Sequence, residues 1–498
     1  MFQRKQSCRE LKSKAMVIFF LLIISISMSS LVAGNTTSWA RFNQDARNSG
    51  SSNVDAESFN GKELATWVSD PLPPGLPAKI PDISTPIAIE RGDESGITQR
   101  EIFFCTSSGY HLKLLMDYQG QWTPKWNPDP TTNADRLITS SPVYYEDNPN
   151  LPQDYDKYMI VADANLLVHP FQKNQIMILY PDSVGPTIDT YNLQDNNMRY
   201  RSPLVWYDDL NNGYLFITDY ITTPVVGTLF LKLGLTYQGY GGIQDQYNGN
   251  NPLFPGLRAN KASMMLWEDE ENEEDYLVIP LYDSNGLYLG VIDPNDNTGT
   301  RIWTITISDT LQLPVSACMD SVGGIYLQTD VGEVYYLNWI PEIDDDPLTS
   351  LEKWNLDLPN HDVVIGHGRM CLDNEDSLYM MGKSSRLNAW FLYRVYKCFT
   401  TEESSDILFR VDFQQLYSID TNSDIVSNYA NGNNLCIITS SDDRLLEYDS
   451  TLTHCPHEIV VDNGKHANNP CSGIALFPNY GIIFADESQS LWLDEMDN

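Results

Sequence analysis

The chain has 498 residues, 42% hydrophobic and 11% aromatic, with 67 acidic against 31 basic side chains and a net charge of −36. Such apolar content supports a large core and excludes a disordered chain. The acidic excess repels nucleic acid and anionic lipid, both of which need a basic footprint to release counterions.

Residues 1–34 read as a targeting segment. A basic stretch carries Arg4, Lys5, Arg9, Lys12 and Lys14, an apolar run follows from Ala15 to about Ile26, and a Ser-rich stretch ends in Val32-Ala33-Gly34. Cleavage between Gly34 and Asn35 gives a secreted or lumenal protein. The alternative is an uncleaved anchor, because residues 15–33 are mostly apolar and about long enough to cross a bilayer. Loss of the segment removes those five basic residues and Glu10, leaving 26 basic against 66 acidic residues, a net −40. The only N-x-[ST] sequon, Asn35-Thr36-Thr37, stands at the new N-terminus, so Asn35 is the candidate glycosylation site.

Residues 35–62 form a lead-in, and residues 63–498 carry a repeat. Four or five apolar residues, a polar turn and a second apolar run recur eight times, beginning at Ile102, Tyr158, Tyr214, Tyr276, Ile325, Leu378, Leu435 and Gly481. The intervals of 56, 56, 62, 49, 53, 57 and 46 residues mark a repeat array rather than a string of unrelated domains. The runs are rich in Ile, Val, Tyr and Phe and bounded by Asp, Ser, Asn and Gly, which is strand chemistry. They are apolar without alternation, as strands covered on both faces are.

Each unit divides into four strands. Openings such as Ser140-Ser141-Pro142-Val143 precede the anchor run; a third strand often ends in aspartate (Asp117, Asp293, Asp449); a fourth carries Trp126, Trp303 or Trp354. Four strands per unit predict an all-β chain forming a single β-propeller of about eight blades, with seven possible should one repeat be decorative. The last unit lacks a fourth strand, whereas Glu63–Val68, with Trp67, resembles one without a unit. That segment is expected to join the C-terminal blade and close the ring.

Trp39-Ala-Arg-Phe42-Asn-Gln-Asp45-Ala-Arg-Asn48-Ser49-Gly50 resembles the opening of proteins with pyrroloquinoline-quinone (PQQ)-like propeller repeats. The likeness extends to the Ser-Pro openings at Pro142 and Pro203 and to Asp293…Thr298-Gly299…Trp303. Membership implies a propeller and, as an alternative function, a quinoprotein-type oxidoreductase using PQQ and calcium. The family's alcohol dehydrogenases carry two adjacent cysteines beside the quinone. No two cysteines are adjacent here, so neither PQQ nor calcium is expected.

No catalytic set stands out. Asp293-Pro-Asn295-Asp-Asn297-Thr-Gly299 fails as a calcium loop, since its glycine is one place late and position twelve is Thr304; it reads as a blade turn. Asp420, Asn422 and Asp424 likewise read as a turn. His454, Cys455, His457, His466 and Cys471 lack the tight pairing of a zinc site. The mature cysteines, including Cys105, Cys318, Cys371, Cys398 and Cys436, show no framework spacing; those inside apolar runs read as small buried residues.

The acidic residues cluster between first and second strands: Glu90, Asp93 and Glu94; Glu146, Asp147, Asp154 and Asp156; Asp208 and Asp209; Asp373, Glu375 and Asp376. The densest run is Glu268, Asp269, Glu270, Glu271, Glu273, Glu274 and Asp275. In a propeller all these turns emerge on one face. The run is therefore the candidate interaction loop of a non-catalytic scaffold whose partner is a basic protein or a glycan.

Overall fold

The structure, a computed structural model, describes strand backbones between residues 36 and 496. Side chains are described chiefly within residues 253–295, 302–338, 352–358, 370–399 and 407–417, with a few elsewhere. Among the described residues there is no helix. The chain is an all-β propeller of eight sheets.

Three N-terminal strands come first: β1 (Thr36–Trp39), β2 (Ser51–Ser52) and β3 (Phe59–Thr66). Eight blades follow, each an antiparallel meander, at residues 87–126, 137–192, 204–255, 258–308, 314–355, 371–416, 425–458 and 475–496. The eight apolar runs that carry the repeat fall in the second strands, among them Glu274–Tyr282, Ile325–Thr329 and Leu378–Ser384. Trp126, Trp303 and Trp354 lie in the fourth strands of blades 1, 4 and 5.

Blade 5 shows why these strands are apolar throughout. Ile325 and Leu327, with Tyr335 and Leu337 of the next strand, pack against Val278, Leu289 and Val291 of blade 4. Tyr326 and Tyr336, one residue out of phase, pack against Met380, Phe391 and Tyr393 of blade 6. A strand's side chains point alternately to its two faces, so a sheet sandwiched between two others needs apolar residues at every position. Blade 6 repeats the arrangement, with Leu378 and Met380 toward blade 5 and Tyr379 and Met381 toward blade 7. Each large side chain so buried contributes roughly 1.5–3 kcal/mol.

Neighbouring blades also meet through their first strands. Val143–Glu146 touches Leu204–Tyr207, Met265–Asp269 touches Pro314–Met319, and Cys371–Leu372 touches Ile425–Asn431. At the ends of the series, Ala475–Phe477 of blade 8 touches Ile87–Gly92 of blade 1. Strand β3 supplies the fourth strand of blade 8, antiparallel to Ser490–Met496, with Phe59 opposite Met496 and Thr66 opposite Ser490. The expected partner of the segment near Trp67 is thus the one found, although Trp67 itself lies outside the described residues.

Candidate functional site

Two of the turns between first and second strands, in neighbouring blades 5 and 6, meet each other and are described atom by atom. In blade 5 the chain leaves Met319 and turns through Asp320-Ser-Val-Gly-Gly324. Asp320 is 1% exposed. Its Oδ1 accepts the backbone N–H groups of Val322 (3.1 Å) and Gly324 (2.7 Å), which closes the turn. Its Oδ2 accepts the Tyr336 hydroxyl at 3.1 Å and pairs with Lys397 Nζ, which reaches across from blade 6. Lys397 Nζ also stands 4.7 Å from the Tyr336 ring centroid, a cation–π contact. Burial, and then the Asp320 charge, push the Tyr336 hydroxyl well above its ordinary pKa and keep it a donor.

The turn needs its glycines. Gly323 has φ +86°, and a Cβ there would stand 2.7 Å from the Trp267 ring of blade 4. A Cβ on Gly324 would overlap the Tyr336 hydroxyl.

Blade 6 builds the same turn from Asp373-Asn-Glu-Asp-Ser377. Asp373 Oδ1 accepts the N–H groups of Glu375 (2.9 Å) and Ser377 (2.8 Å), and its Oδ2 accepts the Tyr379 hydroxyl at 3.2 Å. Arg394 NH2 lies 3.7 Å from Asp373 Oδ2 and donates to Ser377 Oγ at 3.1 Å. Burial raises the Asp373 carboxyl above its ordinary pKa, outweighing the donors of Ser377 and Glu375 and the Arg394 charge. The two turns are joined: Ser321 donates its N–H (3.0 Å) and its hydroxyl to the Asp376 carboxylate. Asp376 holds φ 58°, in the left-handed region that Asp tolerates better than most residues.

The acidic run divides. Glu268 and Asp269 end the first strand of blade 4 and pair in register with Asp275 and Glu274 of the second, so four of the seven carboxylates are on strands. Asp275 Oδ2 accepts Trp206 Nε1 of blade 3 at 2.6 Å, a third link between blades, whereas Glu268 is exposed. Glu270, Glu271 and Glu273 lie outside the described residues, as do Asn35, Asp93, Glu94, Asp147, Asp154, Asp156, Asp208 and Asp209. Thr36 and Thr37 of the sequon stand in β1. Asp293 Oδ1 accepts the N–H of Asn295 at 2.8 Å, as a blade turn requires.

Sequence reading does not nominate Lys397 or Arg394, although a signal exists. Met319-Asp-x-x-x-Gly324-Ile-Tyr326 and Leu372-Asp-x-x-x-Ser377-Leu-Tyr379 share one pattern, an aspartate that is buried at the end of an apolar strand with a tyrosine six residues later. Among the described residues no group of three His, Cys, Asp or Glu could hold a metal ion. Cys318 and Cys371 are buried free thiols and Cys398 is a half-buried one.

No family model matches the chain. Nor does any curated protein. Solved structures do. The Dos1 propeller aligns over 94% of this chain and 96% of its own at 12% identity and a TM-score of 0.47. YCF48 from Cyanidioschyzon merolae aligns over 70% and 91% at 10% identity and a TM-score of 0.37. The polysaccharide lyase Uly1 aligns over 93% and 99% at 7% identity and a TM-score of 0.35.

Proposed function

We propose that the chain is an exported, non-catalytic propeller that acts as a binding scaffold and takes a basic protein segment on its first-turn face. One observation carries the reading. On that face Asp320, Asp373, Asp376 and Asp275 hold turns and blades from within, and Glu268 and Glu375 carry their charge at the exposed surface, Glu375 standing 3.9 Å from Arg394. A rigid frame that presents exposed negative charge gives a partner a complementary surface at little cost in ordering. Export rests on residues 1–34, and kinship with PQQ-like repeats rests on the segment 39–50 and the Asp293–Trp303 turn.

The test replaces Glu268, Asp269, Glu270, Glu271, Glu273 and Glu274 by their amides and leaves Asp275 in place, since Asp275 holds Trp206. Binding of fluorescent poly-L-lysine, followed by anisotropy at low salt, is expected to weaken at least tenfold. Added salt should weaken the parent protein's binding in the same direction. Equal affinity of the two proteins would remove the acidic run from the proposal.

A further inference from the structure

Strands β1 and β2 occupy an unusual position. In seven of the eight blades the chain between 87 and 496 supplies all four strands of the meander, so a lead-in segment is needed only once, as β3. Yet β1 pairs antiparallel with Ile87–Gly92, the first strand of blade 1, with Thr36 opposite Glu90, Thr37 opposite Ile89 and Trp39 opposite Ala88. Strand β2 pairs in parallel with Ile425–Asn431, the first strand of blade 7, with Ser51 opposite Ala430 and Ser52 opposite Asn431. Strand β1 also touches Ala475–Phe477, the first strand of blade 8.

First strands are where neighbouring blades converge, so the two pairings lie on the inner edges of blades 1 and 7, with β1 touching that of blade 8 between them. Equivalent strands of a propeller run the same way. A strand antiparallel to one first strand and a strand parallel to another therefore run in opposite directions. The eleven residues between Trp39 and Ser51 allow up to about 40 Å of extended chain, ample to reverse and pass the narrow side of one blade. Strand β3 then stands at the opposite edge of blade 8, as its fourth strand.

We infer that residues 36–66 clasp the seam of the propeller twice: on the outside through β3 and Ser490–Met496, and on the inside through β1 and β2. The inner clasp satisfies the backbone groups on the free edges of two first strands. It also narrows the centre of the molecule beside blades 7, 8 and 1.

Two measurements on the full chain test this. By hydrogen exchange, one of the amides of Thr36 and Thr37, whichever faces Ile87–Gly92, should be protected as a strand amide is; both exchanging like free peptide overturns the inner clasp. Opposed residues in an antiparallel pair are close enough to bridge. The double variant Thr37→Cys with Ile89→Cys should therefore form a linked peptide on mild oxidation, found by mass spectrometry. It should then unfold at least tenfold more slowly when oxidised than when reduced. Failure to link in the folded protein, or linkage with no change in unfolding rate, overturns the clasp. Should the double variant not fold, exchange in the unaltered protein decides.

Discussion

At Asp320 a single carboxylate closes a turn, anchors a tyrosine and meets a lysine from the next blade. Asp320→Ala would leave Lys397 without its counter-charge and Gly324 without an acceptor. Breaking a buried pair from one side costs about 3–5 kcal/mol. Lys397→Met should cost markedly less, because Asp320 keeps two backbone N–H donors and Tyr336. Urea unfolding of both variants checks the order, and equal losses would contradict this division of roles. Asp373 adds a pH dependence. Its carboxyl is raised above 3.8 in the fold, so it contributes stability that is full below that value and is lost as pH rises through the folded pKa. The stability difference between the parent and Asp373→Asn should accordingly be larger at pH 3 than at pH 7; the reverse slope would refute it.

At the scale of the strand, the governing fact is alternation between two neighbours. Leu327 is fully buried on the face of blade 5 that meets blade 4. Leu327→Ala should destabilise by about 2–5 kcal/mol, as truncation in a closed core does, and a loss under 1 kcal/mol in a denaturant titration would show that the interface collapses to fill the space. The second strands are legible in sequence because all but that of blade 5, which has three, carry four or five apolar residues in a row, a pattern that double covering demands. The fourth strands are legible through Trp126, Trp303 and Trp354. Strands β1 and β2 are not, since Thr-Thr-Ser-Trp and Ser-Ser carry no periodicity and owe their conformation to the edges they pair with. The acidic run reads as a loop because Asp and Glu are poor strand formers. Pairing of Glu268 with Asp275 and Asp269 with Glu274 shows the hairpin context overriding that preference. The clamps escape a sequence reading because Lys397 lies 77 residues from Asp320, and spacing of that kind is invisible until the sheets are stacked.

For the molecule as a whole, segments from opposite ends of the sequence share one sheet: Phe59–Thr66 completes the blade that ends in Ser490–Met496. The charge that sequence counting assigns to a single acidic face serves two purposes in the fold. Part of it ties blade 3 to 4 and 5 to 6, and part of it stays in solvent.

That shared sheet has a consequence for biosynthesis. Strand β3 leaves the ribosome well before its partner, which is made more than 400 residues later. At translation rates of about 5–20 residues per second, β3 waits roughly 20–80 seconds with its backbone bonded to water rather than to a neighbouring strand. The nascent chain thus holds a strand without its neighbour over that interval, and blade 8 is completed only once Ser490–Met496 has been made.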